Sequence, residues 1–164
     1  MWQGSVVSLH VAPAASEPMV TLTEVRAWPG RGLEGDRYAL GTGHYSPRPS
    51  PGGREVTLIE IESVEALEHG IVDSSGERLG IKITAAETRR NIATSGVPLN
   101  HLVDRTFRVG DVRLRGTRLC EPCQYLEELT ARPRLMNALL HRGGLRAQIL
   151  SEGVIRVGDV VRPD

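Results

Sequence analysis

The stretch Phe107-Arg108-Val109-Gly110-Asp111-Val112 returns almost unchanged as Ile155-Arg156-Val157-Gly158-Asp159-Val160, and this repeat indicates a sheet built from short strands. In each copy a strand leads into a Gly-Asp turn and a second strand leaves it, since valine suits a pleated, half-buried surface and glycine a tight turn. The two copies therefore predict symmetric positions in one sheet system. We interpret the turns themselves as structural.

Further short strands and helices are predicted on both sides of the repeated stretch. Alternating apolar residues predict strands at Gly4–Val11, Met19–Trp28, Arg54–Ile59, Leu79–Thr84 and Val112–Leu119. The first two strands are expected to form a hairpin. Helical spacing with proline or glycine at the ends predicts helices at Glu60–His69, Tyr125–Thr130 and Pro133–Leu140. Many short strands with a few short helices predict a mainly β (α+β) fold, a β-barrel decorated by peripheral helices.

Length and composition indicate an ordinary globular protein. With 164 residues, the chain is long enough for a substantial core, and residues 1–164 are expected to form a single domain. The formal net charge of zero argues against binding of nucleic acid through bulk positive charge. No run of about 20 apolar residues occurs, so no membrane association is expected. The protein is expected to be cytoplasmic.

Arginine and a flexible-looking loop suggest where a ligand binds. Of the 20 basic residues only Lys82 is lysine, and the planar arginine fork suits phosphate and carboxylate groups, although base composition of the genome is an alternative reason. The polar cluster Glu87-Thr88-Arg89-Arg90-Asn91-Ile92 is an anion-binding candidate. Residues Gly41–Gly53 are rich in glycine, proline and serine and carry His44 and Tyr45, which is typical of a lid.

The two cysteines stand together in Cys120-Glu121-Pro122-Cys123, where a predicted strand gives way to a predicted helix. Backbone N–H groups at a helix N-terminus favour a thiolate, so Cys123 is the leading reactive group. Two alternatives remain open, a pair of small buried hydrophobes and a thioredoxin-like redox pair. A structural disulfide is disfavoured, because two cysteines in a chain of this length do not make a disulfide framework.

The histidines do not indicate a zinc site. Structural zinc needs four ligands, and the chain offers one cysteine pair and scattered histidines. His101 stands among apolar residues and is expected to have a structural role. His141 precedes the Gly143-Gly144 turn and could approach the cysteine end of a pocket.

The order and spacing of several segments resemble the MOSC domain, a family named after the C-terminal domain of molybdenum cofactor sulfurase and found also as small stand-alone bacterial proteins. The resemblance covers nearly the whole chain and runs through Gly32–Arg37, Arg54–Glu60, Arg89–Ile92, Phe107–Gly110, Pro122-Cys123, Gly143-Gly144 and Gly153–Asp159. It implies a β-barrel with peripheral helices and a pocket for the molybdopterin form of the molybdenum cofactor. It also implies that Cys123 is the functional cysteine and the metal ligand, with Cys120 a bystander.

The same resemblance implies the remaining site residues. Arg89 and Asn91 match the family's arginine and asparagine and are expected to contact the phosphate and pterin of the cofactor. Asp36 and Arg54 are expected either to line the same pocket or to pair with each other. Glu87 is a candidate acceptor for pterin nitrogens, with a solvated surface carboxylate as its alternative.

The function implied by the resemblance is reduction of N-hydroxylated small molecules at molybdenum held by Cys123. A separate redox partner is expected, because a chain with two cysteines has no iron–sulfur signature and no flavin signature is present. The alternatives are a sulfur carrier, in which Cys123 takes a persulfide from a sulfur donor protein, and a module that binds or inserts the cofactor without turnover. Pyridoxal phosphate is not expected, since in the family it belongs to a separate domain of the fused sulfurases.

Overall fold

The short alternating segments form thirteen strands in the computed structural model, which describes residues 1–164. The strands are β1 (Gly4–Val11), β2 (Val20–Leu22), β3 (Glu24–Trp28), β4 (Gly32–Leu33), β5 (Val56–Glu60), β6 (Ile71–Val72), β7 (Arg78–Leu79), β8 (Ile92–Ser95), β9 (Thr106–Val109), β10 (Val112–Leu119), β11 (Leu145–Ile149), β12 (Gly153–Arg156) and β13 (Val160–Pro163). The helices are α1 (Arg37–Leu40), α2 (Ile61–His69), α3 (Gln124–Thr130) and α4 (Leu135–Leu139). None of these helices has the length and apolar character needed to span a membrane.

Seven strands close into a barrel, which confirms the predicted fold class. Their order is β13-β9-β10-β11-β5-β8-β1, and β1 pairs in turn with β13. All neighbouring pairs are antiparallel except β5 and β8, which run parallel. Closure leaves β2 as a short edge strand outside the ring, so the ring itself has no free edge strand.

The two Gly-Asp turns occupy different positions in the sheets. The first turn joins β9 and β10 in a hairpin, whereas the second connects β12 of a three-stranded sheet (β12-β3-β4) to β13 of the barrel. The prediction of symmetric positions is therefore wrong for the second copy, because β12 pairs with β3 and not with β13. The turns are nevertheless adjacent, since the Gly110 amide donates to the carbonyl oxygen of Val160 at 2.8 Å.

Two apolar clusters stabilise the fold. The larger cluster fills the barrel and includes the fully buried Phe107 and Leu58. The smaller one lies between the outer face of β5 and β8 and helices α2, α3 and α4, and it includes Ile59, Ala93 and Leu67. Because successive side chains of a strand point to opposite faces, Leu58 packs in the barrel while Ile59 packs against the helices.

Two predicted strands differ from the structure. Met19–Trp28 is interrupted at Thr23, so that β2 forms the predicted hairpin with β1 while β3 pairs in the separate sheet. Of Leu79–Thr84 only the first residue lies in a strand. The apolar alternation there has another cause, because Ile83 packs into the cluster under the helices and not into a sheet.

Candidate functional site

A cavity of about 340 Å³ lies between the outer wall of the barrel, helix α3 and the loop that follows α1. Cavities of this size are typical of small-molecule and cofactor sites. The lining includes seven arginines and two cysteines, together with aromatic and polar side chains. Its only carboxylate is that of Glu121. The cavity is therefore strongly cationic and fits an anionic ligand.

Cys123 lies at the N-cap of α3, where the sequence places it. Its backbone is extended, with φ −131° and ψ 166°, and its side chain makes no capping hydrogen bond. The thiol is free and half-buried and borders the cavity. Cys120 is also free and borders the cavity, but it is only 2% exposed. Of the two thiols, that of Cys123 is the more accessible to a ligand.

The phenol of Tyr45 lies next to Cys123. Burial, and after it the hydrogen-bonding and electrostatic influence of neighbouring Cys123, together raise the pKa of Tyr45 to about 12. A phenol with this pKa stays protonated at neutral pH and can donate a hydrogen bond. Tyr45 is thus placed to orient the sulfur of Cys123, and sequence patterns gave no signal for this role.

The loop Gly41–Gly53 covers the mouth of the cavity. His44 stacks on Tyr125 of α3 with ring centroids 3.9 Å apart and an interplanar angle of 4°. Ser50 accepts a hydrogen bond from Nη2 of Arg118 at 2.7 Å. These contacts tie the loop to α3 on one side and to β10 on the other, so the loop packs over the cavity in this structure; its role as a lid stays a prediction.

Arg89 has an unused donor in a buried position. It follows the 3₁₀ turn Ala86–Thr88 with a φ of 63° and is 8% exposed. Its Nη1 donates to the carbonyl oxygen of Glu17 at 2.6 Å, while its buried Nη2 has no partner. Burial and the neighbouring Arg37 lower the pKa of Arg89. A buried cation with an unpaired donor costs free energy, and a bound anion would offset that cost.

Asn91 and Arg54 also line the cavity, and they differ in how many of their polar atoms already have a hydrogen-bond partner. Oδ1 of Asn91 accepts from the amide and hydroxyl of Thr57 at 3.0 and 3.2 Å, and its Nδ2 donates to the carbonyl oxygen of His10 at 3.0 Å. Asn91, which directly precedes β8, thus links β5 to β1 and keeps one N–H for a ligand. Arg54 has a buried, unpartnered Nε, and its guanidinium lies 5.2 Å from the ring centroid of Tyr45.

The structure places Asp36 and Glu87 outside the lining of this cavity, contrary to the expectation. Asp36 is fully buried, caps α1 and pairs with Arg37 at 2.9 Å, so it does not pair with Arg54 either. Glu87 pairs with Arg132 at 2.7 Å and borders a different cavity of about 310 Å³. Both carboxylates are satisfied by neighbouring protein groups, which explains why neither points at the cysteine.

Arg90 braces the chain segment before Cys123, a role that the sequence did not reveal. Its guanidinium donates to the carbonyl oxygens of Gly143 at 2.8 Å, Cys120 at 2.9 Å and Thr88 at 3.2 Å. The side chain is 8% exposed, so these carbonyls have little access to water. The sequence does not distinguish the roles of the adjacent Arg89 and Arg90. Only the fold shows that Arg90 donates to backbone carbonyls while Arg89 keeps a free donor.

Replacing Arg90 by lysine is expected to lower the free energy of unfolding by about 2–3 kcal/mol, because an ammonium group cannot reach three divergent carbonyls. Urea denaturation measures the change. The exposed Arg142 provides the matched control, and Arg142→Lys should stay within about 0.5 kcal/mol of the wild type. Equal stability of the two variants would contradict the bracing role.

His141 reaches the rim of the cavity through Glu121. Its Nδ1 lies 2.9 Å from Oε2 of Glu121, and its amide donates to Oε1 at 2.8 Å. His141 itself is exposed and does not line the cavity, so its only connection with the cavity is this contact with Glu121. His101 is exposed and does not line the cavity.

Comparison with known proteins agrees with this architecture. The family model described as "MOSC domain" matches residues 35–162, and the curated proteins give no match. The chain is similar in structure to the YuaD protein from Bacillus subtilis, at a TM-score of 0.73 and 19% identity over 98% of this chain and 97% of that one.

Two further solved structures share the fold. YiiM from Geobacillus stearothermophilus has a TM-score of 0.64 and 17% identity, over 98% of this chain and 75% of that one. YiiM from Escherichia coli has a TM-score of 0.63 and 15% identity, over 100% of this chain and 70% of that one. Because the family model spans most of the sequence, the chain belongs to the MOSC domain family.

Proposed function

We propose that this protein binds the molybdopterin form of the molybdenum cofactor and reduces N-hydroxylated small molecules with electrons from a separate redox partner. The observation that carries this proposal is that one cavity is lined by the free thiol of Cys123 and by two arginines with unpartnered buried donors, Arg89 and Arg54. Membership of the MOSC domain family supports it, since that family is associated with this cofactor.

The residues of the cavity fit the cofactor. A dithiolene-bound molybdenum is a soft centre and takes a thiolate readily, so Cys123 would hold the metal. The cofactor phosphate suits a guanidinium with a free N–H, which Arg89 offers at Nη2 and Arg54 at Nε. Asn91 would present its remaining N–H to the pterin.

When bound, the cofactor would supply two-electron redox chemistry next to Cys123. Reduction of an N-hydroxyl group to an N–H group consumes two electrons and two protons and releases water. The chain's own part is to bind and orient: the phenol of Tyr45 lies where it can donate to the sulfur of Cys123, and the loop Gly41–Gly53 packs over the cavity. Two free cysteines agree with a reducing compartment, the cytoplasm.

Elemental mass spectrometry on protein from a cofactor-competent host tests the proposal. We expect about one molybdenum per chain, and turnover of an N-hydroxylated aryl amidine with reduced methyl viologen as the artificial electron donor. Arg89→Gln should lower the molybdenum content about tenfold, because a charge-assisted hydrogen bond contributes about 1.5–3 kcal/mol. Arg105→Gln, at an exposed arginine outside the cavity, is the control and should keep the wild-type content.

Two other outcomes would reject the proposal and point elsewhere. Metal-free protein that carries persulfide sulfur on Cys123 would indicate the sulfur carrier. Protein that holds the cofactor but turns over no N-hydroxylated compound would indicate a module for cofactor binding or insertion. The mass of the intact protein, measured before and after treatment with a thiol reductant, separates the first case from the second.

A further inference from the structure

We infer that the cavity contains a second anion site and that the substrate of the proposed reductase carries a carboxylate or phosphate group that binds there. The site is formed by Arg118 of β10 and Arg146 of β11, here called the outer arginine pair. The substrate's part in this inference rests on the proposed function. The anion site itself rests on the geometry of the barrel wall.

The outer arginine pair results from a β-bulge. Arg118 lies directly opposite Arg146 in the β10–β11 register, and opposed residues have Cβ atoms about 5 Å apart. Strict alternation along β10 would put Arg118 on the same face as Leu114, which is the barrel interior. The register shifts between Gly116 and Arg118, and this bulge turns Arg118 outward to the cavity.

The charge of the outer arginine pair is not compensated by the protein. The ion pairs of the structure include neither Arg118 nor Arg146. The side-chain hydrogen bond of Arg118 goes to the neutral hydroxyl of Ser50. Burial lowers the pKa of nearby Arg54, and repulsion by Arg146 and Arg118 lowers it further. Clustered cations without an acid partner repel each other, and a bound oxyanion would remove that cost.

The outer arginine pair is separate from Arg89, one of the two arginines assigned to the cofactor, whereas the other, Arg54, is close enough for the pair to lower its pKa. Burial and the neighbouring Arg37 lower the pKa of Arg89, and Arg118 and Arg146 are not among the main charges that act on it. Arg89 follows the 3₁₀ turn before β8, whereas Arg118 and Arg146 lie on β10 and β11. A single phosphate bound at Arg89 would leave the outer pair uncompensated, and the anionic group of a substrate would fill it.

Titration of the ¹⁵N-labelled, metal-free full chain with inorganic phosphate tests the site directly. We expect the Nε–Hε signals of Arg118 and Arg146 to shift with phosphate. In the double variant Arg118→Gln/Arg146→Gln the affinity measured at neighbouring amides should fall about tenfold. Arg115→Gln is the matched control, since Arg115 lies on the same strand, pairs with Asp104 and does not line the cavity. Absent shifts, or unchanged affinity in the double variant, would overturn the inference.

Measurements on the cofactor-loaded protein distinguish a substrate site from a cofactor site. We expect the double variant to retain its molybdenum while Arg89→Gln loses it, and a loss in the double variant would assign the outer pair to the cofactor and overturn the inference. The ratio of kcat/KM for an aryl amidoxime with a ring carboxylate to that for the uncharged compound should fall about tenfold. An unchanged ratio would also overturn it.

Two readouts keep this test independent of folding and of the proposed function. The ligand-free double variant should be at least as stable as the wild type, because it loses like-charge repulsion; a clear fall in Tm would show that the arginines are structural and overturn the inference. If the wild type reduces neither compound, the reductase function is rejected, while the phosphate titration still decides whether the second anion site exists.

Discussion

Replacement of Cys123 by serine is expected to reduce molybdenum-dependent turnover about a thousandfold or more, and to remove bound molybdenum, while the fold stays intact. A serine hydroxyl is a hard ligand that does not ionise near neutral pH, so it cannot replace a thiolate on a soft centre. The side chain of Cys123 makes no capping hydrogen bond and is half-buried at a helix end, so its loss leaves the packing nearly unchanged. Elemental analysis and turnover with an artificial electron donor measure the two effects.

Cys120→Ser is the matched control for this prediction. Cys120 is 2% exposed, so a buried hydroxyl should cost about 1 kcal/mol of stability, whereas turnover should stay within about threefold of the wild type. Preserved turnover in Cys123→Ser would refute the assignment of the functional cysteine. Equal damage in both variants would favour the redox pair, because both thiols would then be required.

Replacement of Gly144 by alanine is expected to lower the free energy of unfolding by about 2–5 kcal/mol. Gly144 has a φ of 107°, and a Cβ atom there would overlap the carbonyl oxygen of Leu58 on the neighbouring strand β5. Its own carbonyl accepts from the amide of Cys120 at 2.8 Å, so a shift of this turn would also move the segment that leads to Cys123. Urea unfolding measures the loss of stability.

Gly158→Ala is the control that separates backbone strain from steric overlap. Gly158 has a φ of 89°, but no atom lies within 4 Å of the Cβ that alanine would add. Only the strain of a positive φ remains there, and it should cost about 1–2 kcal/mol. If the two alanine variants lose the same stability, the close approach of Gly144 to Leu58 does not constrain the fold.

Local patterns predicted the elements whose causes are local. Strand β10 is predicted with its observed bounds, and α2 begins one residue after its predicted start, since apolar periodicity and a terminal glycine identify them. Leu79–Thr84 was misassigned because an apolar residue such as Ile83 is equally compatible with packing under helices. Periodicity indicates that one face of a segment is buried, but it does not identify the part of the protein against which that face packs.

In the candidate site as well, the features that depend on contacts selected by the fold could not be predicted from local patterns. The position of the loop Gly41–Gly53 over the cavity depends on the packing of His44 on Tyr125, which are far apart in sequence. Asp36 and Glu87 lie outside the cavity because nearby arginines pair with them. A carboxylate in sequence has many possible partners, and the fold selects one. Residue type alone therefore overestimates how many polar groups reach a ligand.

Strand periodicity and the position of Cys123 ahead of α3 are local properties of the chain, so the fold class and the candidate functional cysteine could be predicted without the structure. Which arginines lie around that cysteine depends on the three-dimensional fold. Arg90 donates to backbone carbonyls and Arg89 keeps a free donor. Arg118 lies directly opposite Arg146 on the neighbouring barrel strand. These roles depend on barrel closure and on one bulge, which are pairings between distant segments that no local pattern encodes.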